Sequence, residues 1–319
     1  MKKFIIKISL FTLFIPFFWI VSVTIFGYLA PISIQKNIVY RPISYGHMHT
    51  RLSELEKIND KPDIIVFGSS HAYRGVDPRI FDKNGVTLFN MGSSSQTPIQ
   101  SLALAEIYLD HLNPKTVLIE VFPSTFSSDG VESSIDLLSN SPFMHKSYNK
   151  MVFSVNKIKI YNTLIYAYAN NFIFKKKYFE DTIKGEDKYV SGGFVEKVIS
   201  KHPPETKFKP HTIVFNPKQK KAFSSFINFI KSRNIKIVIF QSPITVNRYN
   251  SIENSKQIDS YFESFCDDKN VVYFNFNNML KFDNTYFYDS HHLNQKGVET
   301  FNQSLLNFLF EENLIDTYP

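Results

Sequence analysis

Five short apolar runs recur along the chain and constrain its fold more than any other feature. They are "DIIVFGS" (63–69), "VTLFNMG" (86–92), "TVLIEVFP" (116–123), "KIVIFQSP" (236–243) and "VVYFNFN" (271–277). Their near-continuous β-branched and aromatic content predicts strands buried on both faces. Helical patterns lie between them. "TPIQSLALAEIYLDHL" offers Thr97 as N-cap and Pro98 at the first helical position, and "NPKQKKAFSSFINFIKSRN" repeats the arrangement with Asn216 and Pro217. A last helix is expected from about Asn294 to Phe310. Strands alternating with helices imply an α/β fold with a doubly wound parallel sheet in a three-layer sandwich, whose ligands bind at the strands' carboxyl ends.

The N-terminus obeys a different logic. "MKKFIIKISLFTLFIPFFWIVSVTIFGYLA" starts with Lys2, Lys3 and Lys7, then carries no charge from Ile8 to Ala30. That suits a membrane-spanning helix of about 20 residues. Pro16 is tolerated in such a helix, and Trp19 and Tyr28 suit an interface. A cleaved signal peptide would have a shorter apolar core of roughly 7–15 residues and a small-residue cleavage site. Residues 1–30 therefore read as a signal anchor, with the N-terminus cytoplasmic and the remainder extracytoplasmic.

Residues 31–60 read as a polar connector, and residues 61–319 as one domain. The strand–helix alternation breaks at about 127–211, between the third and fourth strands, which predicts a mostly helical insertion. Its aromatic residues either pack on the sheet or form a surface meeting lipid, an acyl donor or a membrane partner. Gly192-Gly193 is a candidate hinge.

Several classes drop out. The net charge of +7 is spread over small clusters (Lys2-Lys3, Lys175 to Lys177, Lys220-Lys221). No zinc-finger spacing or RNA-recognition signature accompanies it, so nucleic acid is not the expected partner. The single cysteine, Cys266, excludes an internal disulfide framework and is expected to be a small buried hydrophobe. His47 and His49 lack a third ligand and read as exposed residues. Dinucleotide, P-loop and nucleophile-elbow glycine motifs are absent from the sequence.

The remaining polar residues form a coherent set. Ser70 follows the first strand, Gly92 follows the second, and "YDSHHLNQKG" places Asp289 three residues before His292. A serine hydroxyl needs a base to become a nucleophile. A histidine serves best when a carboxylate fixes its tautomer. The three-residue spacing favours His292 over His291 as that base. His71 reads as a wall residue, and Ser93 to Ser95 as polar loop residues.

These positions resemble the SGNH, or GDSL-like, hydrolase family over residues 60–124 and 234–311. The resemblance implies Ser70 as nucleophile, Asp289 and His292 as its partners, and the Ser70 and Gly92 N–H groups as oxyanion donors. Ser69 stands where the family carries Asp. "EVFPSTF" replaces the block that holds the family's asparagine donor, leaving Ser124 and Gln241 as candidate substitutes. In both respects, and in its "HLN" ending, the chain resembles the membrane-anchored proteins of alginate O-acetylation and teichoic acid D-alanylation. The resemblance implies transfer of an acyl group, most simply acetyl, onto an envelope polysaccharide beside a membrane-bound acyltransferase. It implies no metal or redox cofactor, and a single-pass location in a bacterial cytoplasmic membrane. Two other readings stand: an esterase or deacetylase with water as acceptor, and a non-catalytic scaffold of an envelope-biosynthesis complex.

Overall fold

The computed structural model describes residues 1–199, 206–267 and 270–315, with only the backbone of residue 32. Its strands are β1 (Ile64–Phe67), β2 (Leu88–Asn90), β3 (Thr116–Glu120), β4 (Ile183–Lys184), β5 (Asp187–Val190), β6 (Phe194–Lys197), β7 (Lys236–Gln241) and β8 (Val271–Asn275). The five expected strands form one parallel sheet in the order β2-β1-β3-β7-β8. Chain direction across the sheet reverses between β1 and β3, and such a switch point opens a crevice at the strands' carboxyl ends.

Side chains alternate across the sheet with period two. Ile65, Phe67, Val117, Ile119, Ile237 and Ile239 face one core. Ile64, Val66, Leu118, Val238 and Phe240 face the other. The helices used below are α1 (Lys2–Leu29), α2 (Met48–Leu55), α3 (Ser70–Tyr73), α4 (Pro98–Leu112), α5 (Val131–Asn140), α6 (Lys146–Val155), α7 (Ile158–Ala169), α8 (Pro217–Lys231) and α9 (Gln295–Glu311). Helices α4 and α8 cover the first face, and α9 covers the second through Val298, Phe301 and Leu305. The cap signals work as expected: Gln100 Oε1 accepts the Thr97 N–H at 3.0 Å, and Asn216 Oδ1 accepts the Lys218 N–H at 2.9 Å.

Helix α1 is long and apolar enough to cross a membrane. Its upper part is not free, because Val23 and Gly27 are buried against the protein. The stretch read as a connector carries α2, whose Met48, Leu52 and Leu55 enter the first core. Their i, i+4, i+7 spacing is that of one helix face. His47, expected in solvent, is fully buried. Cys266, expected to be buried, is exposed.

The insertion is helical only in its first half, α5 to α7. Its second half is the antiparallel sheet β4-β5-β6, and residues 200–205 lie outside the described residues. Gly192-Gly193 is no hinge. The Asn90 N–H donates to Gly192 O at 2.8 Å, docking the pair on the edge of β2. A Cβ on Gly193, at φ +86°, would lie 2.1 Å from Asn90 O.

Candidate active site

The site begins where β1 stops. Gly68 adopts φ +151°, and a Cβ there would meet the Glu120 side chain at 2.6 Å. Only glycine permits both the backbone angle and that approach. The chain then turns into α3, with Ser69 as its N-cap accepting the His71 N–H at 3.3 Å. Ser70 is the first residue of that short helix, directly beyond the carboxyl end of β1.

Ser70 Oγ lies 2.7 Å from His292 Nε2. His292 Nδ1 lies 2.8 Å from Asp289 Oδ2. Asp289 Oδ1 accepts the N–H groups of His291 at 2.9 Å and His292 at 2.8 Å. A tight turn thus uses one carboxylate to fix both its own backbone and the imidazole. Asn294 caps α9 immediately after it, accepting the Gly297 N–H at 3.0 Å. The consistent proton assignment has Nδ1–H donating to Asp289 and Nε2 accepting from Ser70. Burial opposes ionisation of Asp289, but the hydrogen bond and charge of His292 outweigh it and hold the carboxyl well below its ordinary range. The negative charge needed to stabilise an imidazolium is therefore in place.

A second polar chain runs behind the first. The His71 ring lies at 4.9 Å from that of His292, at 21°, and at 4.2 Å from Phe122. His71 Nε2 is 3.2 Å from His291 Nδ1, and its Nδ1 is 3.1 Å from Ser69 Oγ. Ser69 donates through both its hydroxyl and its N–H to Glu120 Oε2, each at 2.8 Å. Burial drives His71 well below its usual range, helped by His292 and His291. Burial and His292 push His291 down to about 3. Both rings are thus neutral near pH 7. Burial raises Glu120 to about 7 against the pull of its two Ser69 donors. So a carboxylate does stand beside Ser69, where the resemblance would place an Asp, but it comes from the end of β3.

Glu120 carries no motif that marks it in the sequence. Its one signal was a lone acid in an otherwise apolar run that reads as a buried strand. Arg74, just after α3, is likewise unmarked by any motif. It forms a bidentate pair with Asp187 of β5, both bonds 2.8 Å, and ties the helix that carries Ser70 to the insertion.

The oxyanion expectation at Gly92, and the substitutes Gln241 and Ser124, need correction. The Gly92 N–H donates to Asn90 Oδ1 at 3.0 Å. That amide is locked, because its Nδ2 donates to Ala72 O at 2.8 Å and Val76 O at 3.0 Å. The glycine serves close approach instead, since a Cβ would meet Ala72 Cβ at 2.9 Å. Gln241 Nε2 donates to Asp259 Oδ1 at 3.0 Å and is engaged away from Ser70. Ser124 sits in the short helix Pro123–Ser127 and bonds to none of these residues. Ser70 itself keeps an N–H without a partner among the described residues. Ser242, which follows β7 and lines a small gap beside Ser70 and His292, has a buried hydroxyl with no partner among the described residues.

The rings of His71, His291 and His292 bring nitrogens within 4.8 Å of one another, a grouping that could hold a metal ion. The nitrogens just described are engaged in the two hydrogen-bond chains.

No family model and no curated protein matches the chain. Among solved structures, a GDSL-like lipase from Bacteroides thetaiotaomicron is 11% identical with a TM-score of 0.45, over 83% of this chain and 98% of its own. A catalytic mutant of Axe2, an acetylxylan esterase from Geobacillus stearothermophilus, is 12% identical with a TM-score of 0.42, over 79% of this chain and 95% of its own. At such identities and scores these likenesses carry no weight for function, which must be argued from the side chains above.

Proposed function

We propose that the chain is a membrane-anchored serine acyltransferase of SGNH type, moving an acyl group, most simply acetyl, onto hydroxyls of an envelope polysaccharide. The observation that carries this reading is the unbroken path from Ser70 Oγ through His292 to Asp289, with steps of 2.7 and 2.8 Å. Both distances lie within the reach required of a nucleophile–base–orienter set.

In the first half-reaction His292 Nε2 takes the Ser70 proton while Oγ bonds to the acyl carbonyl carbon. The free Ser70 N–H supports the resulting oxyanion. His292 then returns the proton to the departing alkoxide, leaving an acyl-serine. In the second half, an acceptor hydroxyl loses its proton to His292 and attacks the acyl carbon. Ser70 leaves and is reprotonated. A donor to the oxyanion is typically worth roughly 10²–10³ in rate.

The apolar helix α1 favours an acceptor at the cell envelope. A membrane-bound acyltransferase supplying the acyl group remains part of this proposal. The test is to incubate the purified chain with an activated acetyl ester and a soluble polysaccharide. Ser70-dependent ester groups on the polymer are expected. Free acetate with an unmodified polymer would instead identify a hydrolase. Unchanged O-acyl content of surface polymers in cells carrying Ser70→Ala would leave only a scaffold role.

A further inference from the structure

One corner of the insertion keeps large apolar side chains in water. Phe153 near the end of α6 is 68% exposed, and Ile158 at the start of α7 is 73% exposed. Their position relative to α1 is fixed by contacts. The Phe153 ring lies 5.9 Å from that of Tyr161. Tyr161 lies 6.5 Å from Trp19 of α1, and Trp19 Nε1 donates to Asn162 Oδ1 at 2.9 Å. Further along both helices, a Cβ on Gly27 would strike the Tyr166 ring at 2.4 Å, and Tyr28 stacks on Phe174 at 4.5 Å. Helix α7 therefore runs alongside α1 in the same direction. The Phe153–Ile158 corner lies at the level of Trp19.

Below that level α1 is bare, with Phe4, Leu10, Phe14 and Phe18 all exposed. From Phe4 to Val21 the helix rises about 26 Å at 1.5 Å per residue, close to the roughly 30 Å of a bilayer's hydrocarbon core, with Lys7 one turn from the inner end, where a lysine reaches the interface. Trp19 then sits near the outer interface, where tryptophan is favoured, and the corner sits there with it.

The adjoining surface has matching chemistry. A groove of about 420 Å³ opens beside Phe153, with Leu102, Met151 and Ala222 among its apolar lining and Lys150, Lys218 and Lys221 among its charged residues. All three lysines are exposed. Glu106 also lines the groove and pairs with Lys150 at 3.0 Å, so the excess positive charge comes from Lys218 and Lys221. Cations beside an apolar floor suit a lipid with an anionic head and an acyl tail.

We propose that this corner is a second membrane contact: Phe153 and Ile158 enter the outer leaflet beside α1, and the groove takes an anionic lipid. The proposal rests on α1 staying in the membrane as an anchor, and it fixes the domain's orientation on the bilayer.

The test uses the full chain in nanodiscs, with Cys266→Ser and one new cysteine carrying a bimane label. Labels go at residues 11, 153, 158 and 303, and quenching by lipids brominated on their acyl chains is read. Gln303 is exposed on α9, across the sheet from the groove, and serves as the solvent reference. We expect at least twofold quenching at 11, 153 and 158, and none at 303. Quenching at 11 with 153 and 158 matching 303 would overturn the contact alone. No quenching at 11 would overturn the anchor and the contact together. Exchanging phosphatidylglycerol for phosphatidylcholine, or combining Lys150→Glu, Lys218→Glu and Lys221→Glu, is expected to reduce quenching at 153 at least twofold. Equal quenching in every case would overturn the anionic-lipid assignment. None of these readouts depends on turnover, so they stand apart from the fate of the acyltransferase reading.

Discussion

At the scale of single residues, Asp289 does two jobs with one carboxylate. Oδ1 holds the turn and Oδ2 holds the imidazole. Asp289→Asn keeps the shape but allows the amide to present N–H toward Nδ1, which favours the wrong tautomer of His292. Ester turnover is expected to fall about 10³–10⁴-fold, with the circular dichroism spectrum unchanged; a fall below tenfold would remove Asp289 from the proposed machinery. Glu120 makes a different prediction. Its carboxyl is raised to about 7 in the fold, against about 4.3 in an unfolded chain. The folded state binds the extra proton between those values. Its contribution is therefore fully present below about pH 4.3 and is lost as pH rises to about 7. Glu120→Gln should flatten the decline of Tm between pH 5 and 8. An unchanged slope would show that Glu120 does not titrate there. The contribution of Asp289 has the opposite sense, being lost only as pH falls below the ordinary carboxylate range.

At the scale of elements, the five sheet strands were legible because a doubly covered parallel sheet demands apolar residues on both faces. Ser70, Asp289 and His292 were legible because each stands at an element boundary: after β1, and in the turn before α9. Glu120 was not, since its partner Ser69 is 51 residues away in sequence and no local spacing links them. The insertion's second half is hard to read from sequence for a related reason. Its strands are two to four residues long, and the β5–β6 turn docks on β2 through Gly192, a contact between distant segments. That docking gives a contrast within one sheet. Gly193→Ala adds a clash with Asn90 O to an unfavourable φ of +86°, whereas Gly185, at φ +60°, has nothing within 4 Å of its Cβ position. Urea unfolding should show Gly193→Ala losing at least about 2 kcal/mol and Gly185→Ala about 1 kcal/mol. Equal losses would mean that the pair does not pin the insertion to the sheet.

At the scale of the whole molecule, α1 is a strut as well as an anchor candidate. Trp19, Val23 and Gly27 seat it on α7, and the insertion is joined to the helix that carries Ser70 by Arg74 and Asp187. The sequence could suggest that α1 spans a membrane, but not that its upper end packs on protein, because contact between distant segments leaves no periodic trace. Gly27→Ile should force α1 off Tyr166, raising hydrogen exchange across residues 158–169 while turnover of a small soluble ester persists. Unchanged exchange would mean that the seat tolerates the added bulk.

The central claim is that Ser70 is the nucleophile. Its most direct test is covalent: treat the full chain with a fluorophosphonate, which reports activated serines, then map the adduct by peptide mass spectrometry. One adduct is expected, on Ser70, lost in Ser70→Ala and strongly reduced in His292→Ala. An adduct that persists in Ser70→Ala, or none in the wild-type chain, would contradict it.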